Sequence, residues 1–99
     1  MGARLVLHQR AVLGVDEFTE IKVWAVTRSR AFPDGVKASF AFVRRARGAF
    51  AAVYRVDNER GKGLHEHRSG REAPLVATGW RDALARFHRT VAELREGGT

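Results

Sequence analysis

Cysteine is absent from the chain, which removes disulfides, thiolate nucleophiles and thiolate metal ligands, and fits a reducing compartment. The amino terminus lacks a long apolar stretch. Leu5 to Leu7 is its longest apolar run, too short for a signal-peptide core or a membrane span. An N-myristoylation pattern is missing as well, because Val6 stands where Ser or Thr is required. Internal repeats and low-complexity tracts are also missing. The expectation from these absences is a cytoplasmic protein with no membrane partner.

What the chain lacks most is negative charge: 11 acidic residues face 18 basic ones, for a net charge of +7 over 99 residues. The resulting field attracts phosphate-rich or acidic partners, so nucleic acid, an anionic membrane and an acidic protein are the three classes to weigh. No basic amphipathic helix carries the aromatic and lysine face of a membrane anchor. Arg far outnumbers Lys, and its planar fork favours bidentate phosphate contacts. Apolar residues make up 44% of the chain, enough for one core, and the length fits a single domain spanning 1–99.

Alternation of apolar and polar residues marks four strands. Arg4 to Leu13 sets Leu5, Leu7, Ala11 and Leu13 on one parity, and Phe18 to Thr27 sets Ile21, Val23 and Ala25 against Glu20, Lys22 and Trp24. Val36 to Arg44 follows a Pro33-Asp34-Gly35 turn and aligns Val36, Ala38, Phe40 and Phe42, while Phe50 to Asp57 aligns Phe50, Ala52, Tyr54 and Val56. Asn58 to Pro74 has no apolar period and reads as a long loop. Thr78 offers an N-cap for a helix in which Trp80, Ala83, Leu84, Phe87, Val91 and Leu94 recur at helical spacing up to Gly97 and Gly98. The expected fold is α+β, a four-stranded antiparallel meander with one carboxy-terminal helix on a face. Phe18 and Trp24 fall on the opposite parity to Ile21 and Val23, which points to a homodimer or a partner on the second face.

Asp57, Asn58, Glu59, Arg60, Gly61, Lys62, Gly63, Leu64, His65, Glu66, His67 and Arg68 form the densest polar group, starting where a strand ends. In extended chain, His65 and His67 point to the same side about 6 to 7 Å apart, a spacing that straddles one phosphate. Imidazoles suit the acid and base of metal-free RNA cleavage, with Arg60 and Lys62 on the phosphate and Asp57 orienting a ring or the loop. The same His-x-His edge with a carboxylate also suits a metal ion, and solvated loop residues are the third reading. Flanking cations weigh against a metal, so neither metal nor other cofactor is expected. Arg44, Arg45 and Arg47 in the turn between the third and fourth strands, with Arg68 and Arg71 beside the histidines, are candidate nucleic-acid contacts.

The run Val56-Asp57-Asn58-Glu59-Arg60-Gly61-Lys62-Gly63, then His65-Glu66-His67 and Gly70-Arg71-Glu72 with Pro74, resembles the signature of the TumE family. Trp24 and the stretches Phe32 to Lys37 and Ser39 to Phe40 resemble it too, so the likeness spans Phe18 to the end of the helix. Leu64 replaces a residue that is polar in many relatives, and Glu66 one that is often basic. The resemblance implies a bacterial type II toxin that acts as an endoribonuclease on RNA and is neutralised by a helix-turn-helix antitoxin. The leading expectation is metal-independent cleavage. A non-enzymatic binding toxin and a metal-dependent nuclease using His65 and His67 are the alternatives.

Overall fold

The computed structural model describes residues 2–61 and 63–97, the Arg60 side chain excepted. Its strands are β1 (Arg4–Gly14), β2 (Glu17–Ala25), β3 (Val36–Ala46), β4 (Ala49–Asp57), β5 (His65–Arg68) and β6 (Arg71–Pro74), followed by the helix α1 (Trp80–Glu96). All six strands join one antiparallel meander in chain order. The α+β class and the carboxy-terminal helix agree with the sequence, whereas the sheet has six strands rather than four. The two extra strands come from the stretch that reads as a loop. They carry polar side chains on both faces, so no apolar period betrays them.

Two turns build the later hairpins. Arg47 and Gly48 have φ of 55° and 79°, and Ser69 and Gly70 have φ of 53° and 77°. Left-handed backbone at both central residues is the type I′ turn, whose twist matches that of the paired strands. Glycine occupies the second position of each because it pays no Cβ clash there.

One face of the sheet is the core. Thr19, Ile21 and Val23 of β2, Ala38, Phe40 and Phe42 of β3, and Tyr54 and Val56 of β4 are buried there. Against them α1 buries Ala83, Phe87, Val91 and Leu94. Phe87 lies 5.7 Å from Tyr54 in a stacked pair and 5.7 Å from Phe40 in a tilted one, so one helical side chain ties β3 to β4. The helix begins one residue later than Thr78, with Gly79 as its cap. Asp82 supplies the missing cap function by accepting the Thr78 N–H at 3.0 Å. That bond and the Arg86 guanidinium hold the Asp82 carboxyl below its usual range.

Bulges alter two of the expected faces. Phe42 pairs with Tyr54 but Val43 with Ala52, leaving Val53 as an extra residue that reverses the parity of the first half of β4. Phe50 therefore leaves the core face, on which the alternation had placed it, and packs against Phe18 on the outer face at 5.7 Å. In β1 a shift at Val6 likewise puts Leu5 opposite Trp24 instead of beside Leu7. The outer face thus carries Phe18, Trp24 and Phe50, with Arg10 over Phe18 at 4.0 Å, Lys37 over Trp24 at 5.4 Å and Arg45 over Phe50 at 5.9 Å.

Candidate active site

The register of the last three strands assembles the site. Asp57 pairs with His65 and Arg55 with His67 across β4 and β5, and His67 then pairs with Glu72 across β5 and β6. Cross-strand partners share a face. Arg55, Asp57, His65, His67 and Glu72 thus share the outer face, away from the helix. The alternate residue Glu66 turns to the core side, where it accepts the Tyr54 hydroxyl at 2.7 Å. Burial, reinforced by the Glu66 carboxylate, pushes the Tyr54 hydroxyl up to about 12.

Asn58 fixes the chain as it leaves β4. Its side chain accepts the Ala38 N–H at 2.9 Å and donates to the Val36 carbonyl at 2.8 Å, closing the end of β3 onto the end of β4. Asp57 also accepts the Glu59 N–H at 3.4 Å. The carboxylate is therefore aimed back over the outer face.

Both imidazoles converge on that carboxylate. His65 Nε2 is 2.8 Å from Asp57 Oδ1, and His67 Nε2 is 3.4 Å from Asp57 Oδ2. Glu72 flanks the pair, 3.6 Å from His65 Nε2 and 3.9 Å from His67 Nδ1. The ring centroids are 4.9 Å apart and meet edge to face, so the rings do not straddle a phosphate as their extended spacing implied. Strand geometry gave the shared side correctly, but the common acceptor draws the two rings together.

The two histidines are not equivalent. The His65 side chain is only 8% exposed, against 25% for His67. His65 Nδ1 lies 2.9 Å from the Gly63 carbonyl, and since a carbonyl only accepts, Nδ1 carries the hydrogen. Gly63 itself sits at φ 71°, a left-handed conformation that turns its carbonyl to this position. His67 is the ring that solvent reaches. Beside it is a cavity of about 250 Å³ lined in part by Arg55, His67, Arg68, Arg71 and Glu72. A second cavity, of about 350 Å³, lies between Pro33, Leu64 and Trp80, with none of the cluster in its wall.

Of the residues expected at the site, Asp57, His65 and His67 are brought together. Arg68 and Arg71 border the cavity. Arg60 lies in a short 3₁₀ turn over Glu59–Gly61, its side chain outside the described residues, as is Lys62. The expected basic cluster at the turn before β4 is elsewhere: Asp57 is at the other end of that strand, roughly 25 to 30 Å away at strand rise. Arg44 there is bound to Glu17 at 2.8 Å through Nε, Arg45 covers Phe50 and Arg47 occupies the turn. Arg55 was missed as a site residue, although it shares the parity of Asp57 two positions on. Of the other histidines, His8 bonds Glu20 at 2.8 Å and His88 packs on Phe87.

Fold and site together define a small α+β domain with an Asp-His-His cluster beside a cationic cavity on the open face of its sheet. Comparison with known protein families, curated proteins and solved structures gave no match.

Proposed function

We propose that this chain is the toxin of a toxin–antitoxin pair and that it cuts RNA at the outer-face cluster. The observation that carries the proposal is the convergence of Asp57, His65 and His67 beside a cavity bordered by Arg55 and Arg71. Phosphodiester cleavage needs cations where charge builds on the phosphorane and a proton acceptor near the attacking hydroxyl. Arg55, on the same face as the cluster, supplies the first and the cluster the second. In the reaction the 2′-oxygen bonds to phosphorus, the 5′-oxygen leaves, and the proton passes from the former to the latter.

Substrate strands have a path to this point. Trp24 with its covering Lys37 lies two strands and two residues from Asp57, roughly 12 Å by strand spacing. A base stacked on Trp24 would lead the strand toward the Asp57 end of the cluster. The antitoxin, a helix-turn-helix protein by the family resemblance, would neutralise the toxin by laying an acidic segment on this basic surface.

Purified protein is incubated with end-labelled single-stranded RNA, and growth inhibition is scored on induction. His67→Ala is expected to abolish both cleavage and inhibition while antitoxin binding persists. Arg55→Ala should lower kcat/KM by about tenfold, equivalent to roughly 1.4 kcal/mol of transition-state stabilisation. RNA bound but left intact by the wild-type protein would sink the enzymatic reading in favour of a binding toxin.

A further inference from the structure

We infer that Asp57, His65 and His67 form a site for one divalent transition-metal ion, with Glu72 as the adjoining carboxylate. The inference rests on the proposed nuclease reading but changes the cluster's part in it, from proton acceptor to metal holder, and so departs from metal-independent cleavage. One donor atom from each of the three residues lies within 4.8 Å of the others. Two donors each about 2.1 Å from an ion stand about 3.0 to 3.4 Å apart, close to the 2.8 Å and 3.4 Å that separate Asp57 oxygens from the two Nε2 atoms.

The hydrogen bonding around the two rings is compatible with the same assignment. The Gly63 carbonyl takes the hydrogen on His65 Nδ1, so in the neutral ring the Nε2 lone pair faces a carboxylate oxygen at 2.8 Å. That contact calls for a positive centre, either a second ring proton or a metal ion bound by both atoms. A single proton serves one pair, whereas a metal ion serves Asp57, His65 and His67 together. A metal-bound histidine typically donates its other ring hydrogen to a carbonyl or carboxylate, and His65 already does so through Gly63. His67 Nδ1 faces Glu72 Oε1 at 3.9 Å, the same arrangement at longer range.

Charge and chemistry select the kind of ion. The molecule is cationic overall, but two carboxylates, Asp57 and Glu72, close on the two rings and make this point locally anionic. Imidazole nitrogens favour zinc, iron, cobalt or nickel over magnesium and calcium, which prefer all-oxygen sets. Three protein donors leave coordination positions open, and the more exposed His67 and Glu72 border the cavity in which the phosphate would sit. An ion there would act as a Lewis acid on the phosphoryl oxygen.

The test titrates chelator-stripped full-length protein with Zn(II) and Mn(II) by calorimetry, and with Co(II) by visible absorption. Expected are one site per chain, d–d bands on Co(II) binding, and a Tm rise of about 5 °C or more at metal well above Kd. Asp57→Asn and His67→Ala, checked for folding by circular dichroism, should each weaken binding by about 100-fold, and Glu72→Gln by about 10-fold. Absence of binding, or binding that survives in both Asp57→Asn and His67→Ala, overturns the site. RNA cleavage that continues in EDTA with no metal bound would refute the site and leave the nuclease standing. Metal bound through Asp57 and His67 with RNA left intact would support the site and refute the nuclease.

Discussion

Tyr54 is the sole tyrosine in the chain, so its hydroxyl can be followed by phenolate absorbance without overlap. In the folded protein it should ionise near 12 rather than at the ordinary 10. The sign follows from the neutral form being favoured in the fold: this contribution to stability is complete below pH 10 and is lost as pH rises through 12. A titration of the native protein with its midpoint at 10 would show that the hydroxyl is not buried against Glu66. The bond matters to the site because Glu66 lies between His65 and His67, and fixing its side chain on the core face fixes theirs on the other. At this scale much was legible. Asp57, His65 and His67 stand out in the sequence by residue type and spacing, and strand alternation put both rings on one side. Their convergence was not legible, because it depends on a shared acceptor across a strand pair and on a backbone carbonyl, neither of which leaves a mark in the spacing.

The elements are held at their far end by Glu17. This carboxylate accepts Arg95 Nε of the helix at 2.8 Å and Arg44 Nε of β3 at 2.8 Å, and these bonds, Arg95 first, keep its carboxyl below 4.5 despite burial. A lowered carboxyl stabilises the fold above its unfolded value, and the gain disappears as pH falls through the folded value. Glu17→Gln should therefore cost about 1 kcal/mol at neutral pH, moderated by the solvent exposure of Arg95. Thermal melts at descending pH should show the gap between the two proteins closing below 4.5. A gap that stays constant with pH would remove the ion pairs from the account. Alternation located β1 to β4, and helical spacing located α1; β2, β3, the second half of β4 and α1 each bury one apolar face, while β1 only partly covers Leu7 and Leu13. For β5 and β6 that signal does not exist: His65, Glu66, His67 and Arg68 alternate between two kinds of polar surroundings. The bulges at Val53 and Val6 escaped for a related reason, since one inserted residue reverses parity without altering composition.

At the scale of the whole molecule, the chain carries a charge of +7, and among the described residues Arg55, Arg68 and Arg71 line the cavity at His67. Binding of single-stranded RNA should weaken linearly in a plot of log affinity against log salt, by about 0.7 per phosphate neutralised. The double variant Arg55→Ala, Arg71→Ala should reduce that slope by about 1.4 if each guanidinium meets a phosphate. An unchanged slope would place the strand elsewhere on the surface. Among the described residues no helix is long and apolar enough to cross a membrane. The same layout concentrates risk: every donor of the cluster falls in the short stretch from Asp57 to Glu72, on three successive strands joined by brief turns. The cluster closes with little loop entropy and asks nothing of β1 or the helix beyond a stable base. One residue inserted between His65 and His67 would throw the two rings onto opposite faces of β5, while the same insertion at the Val15–Asp16 turn, at the far end of the sheet, would leave both in place.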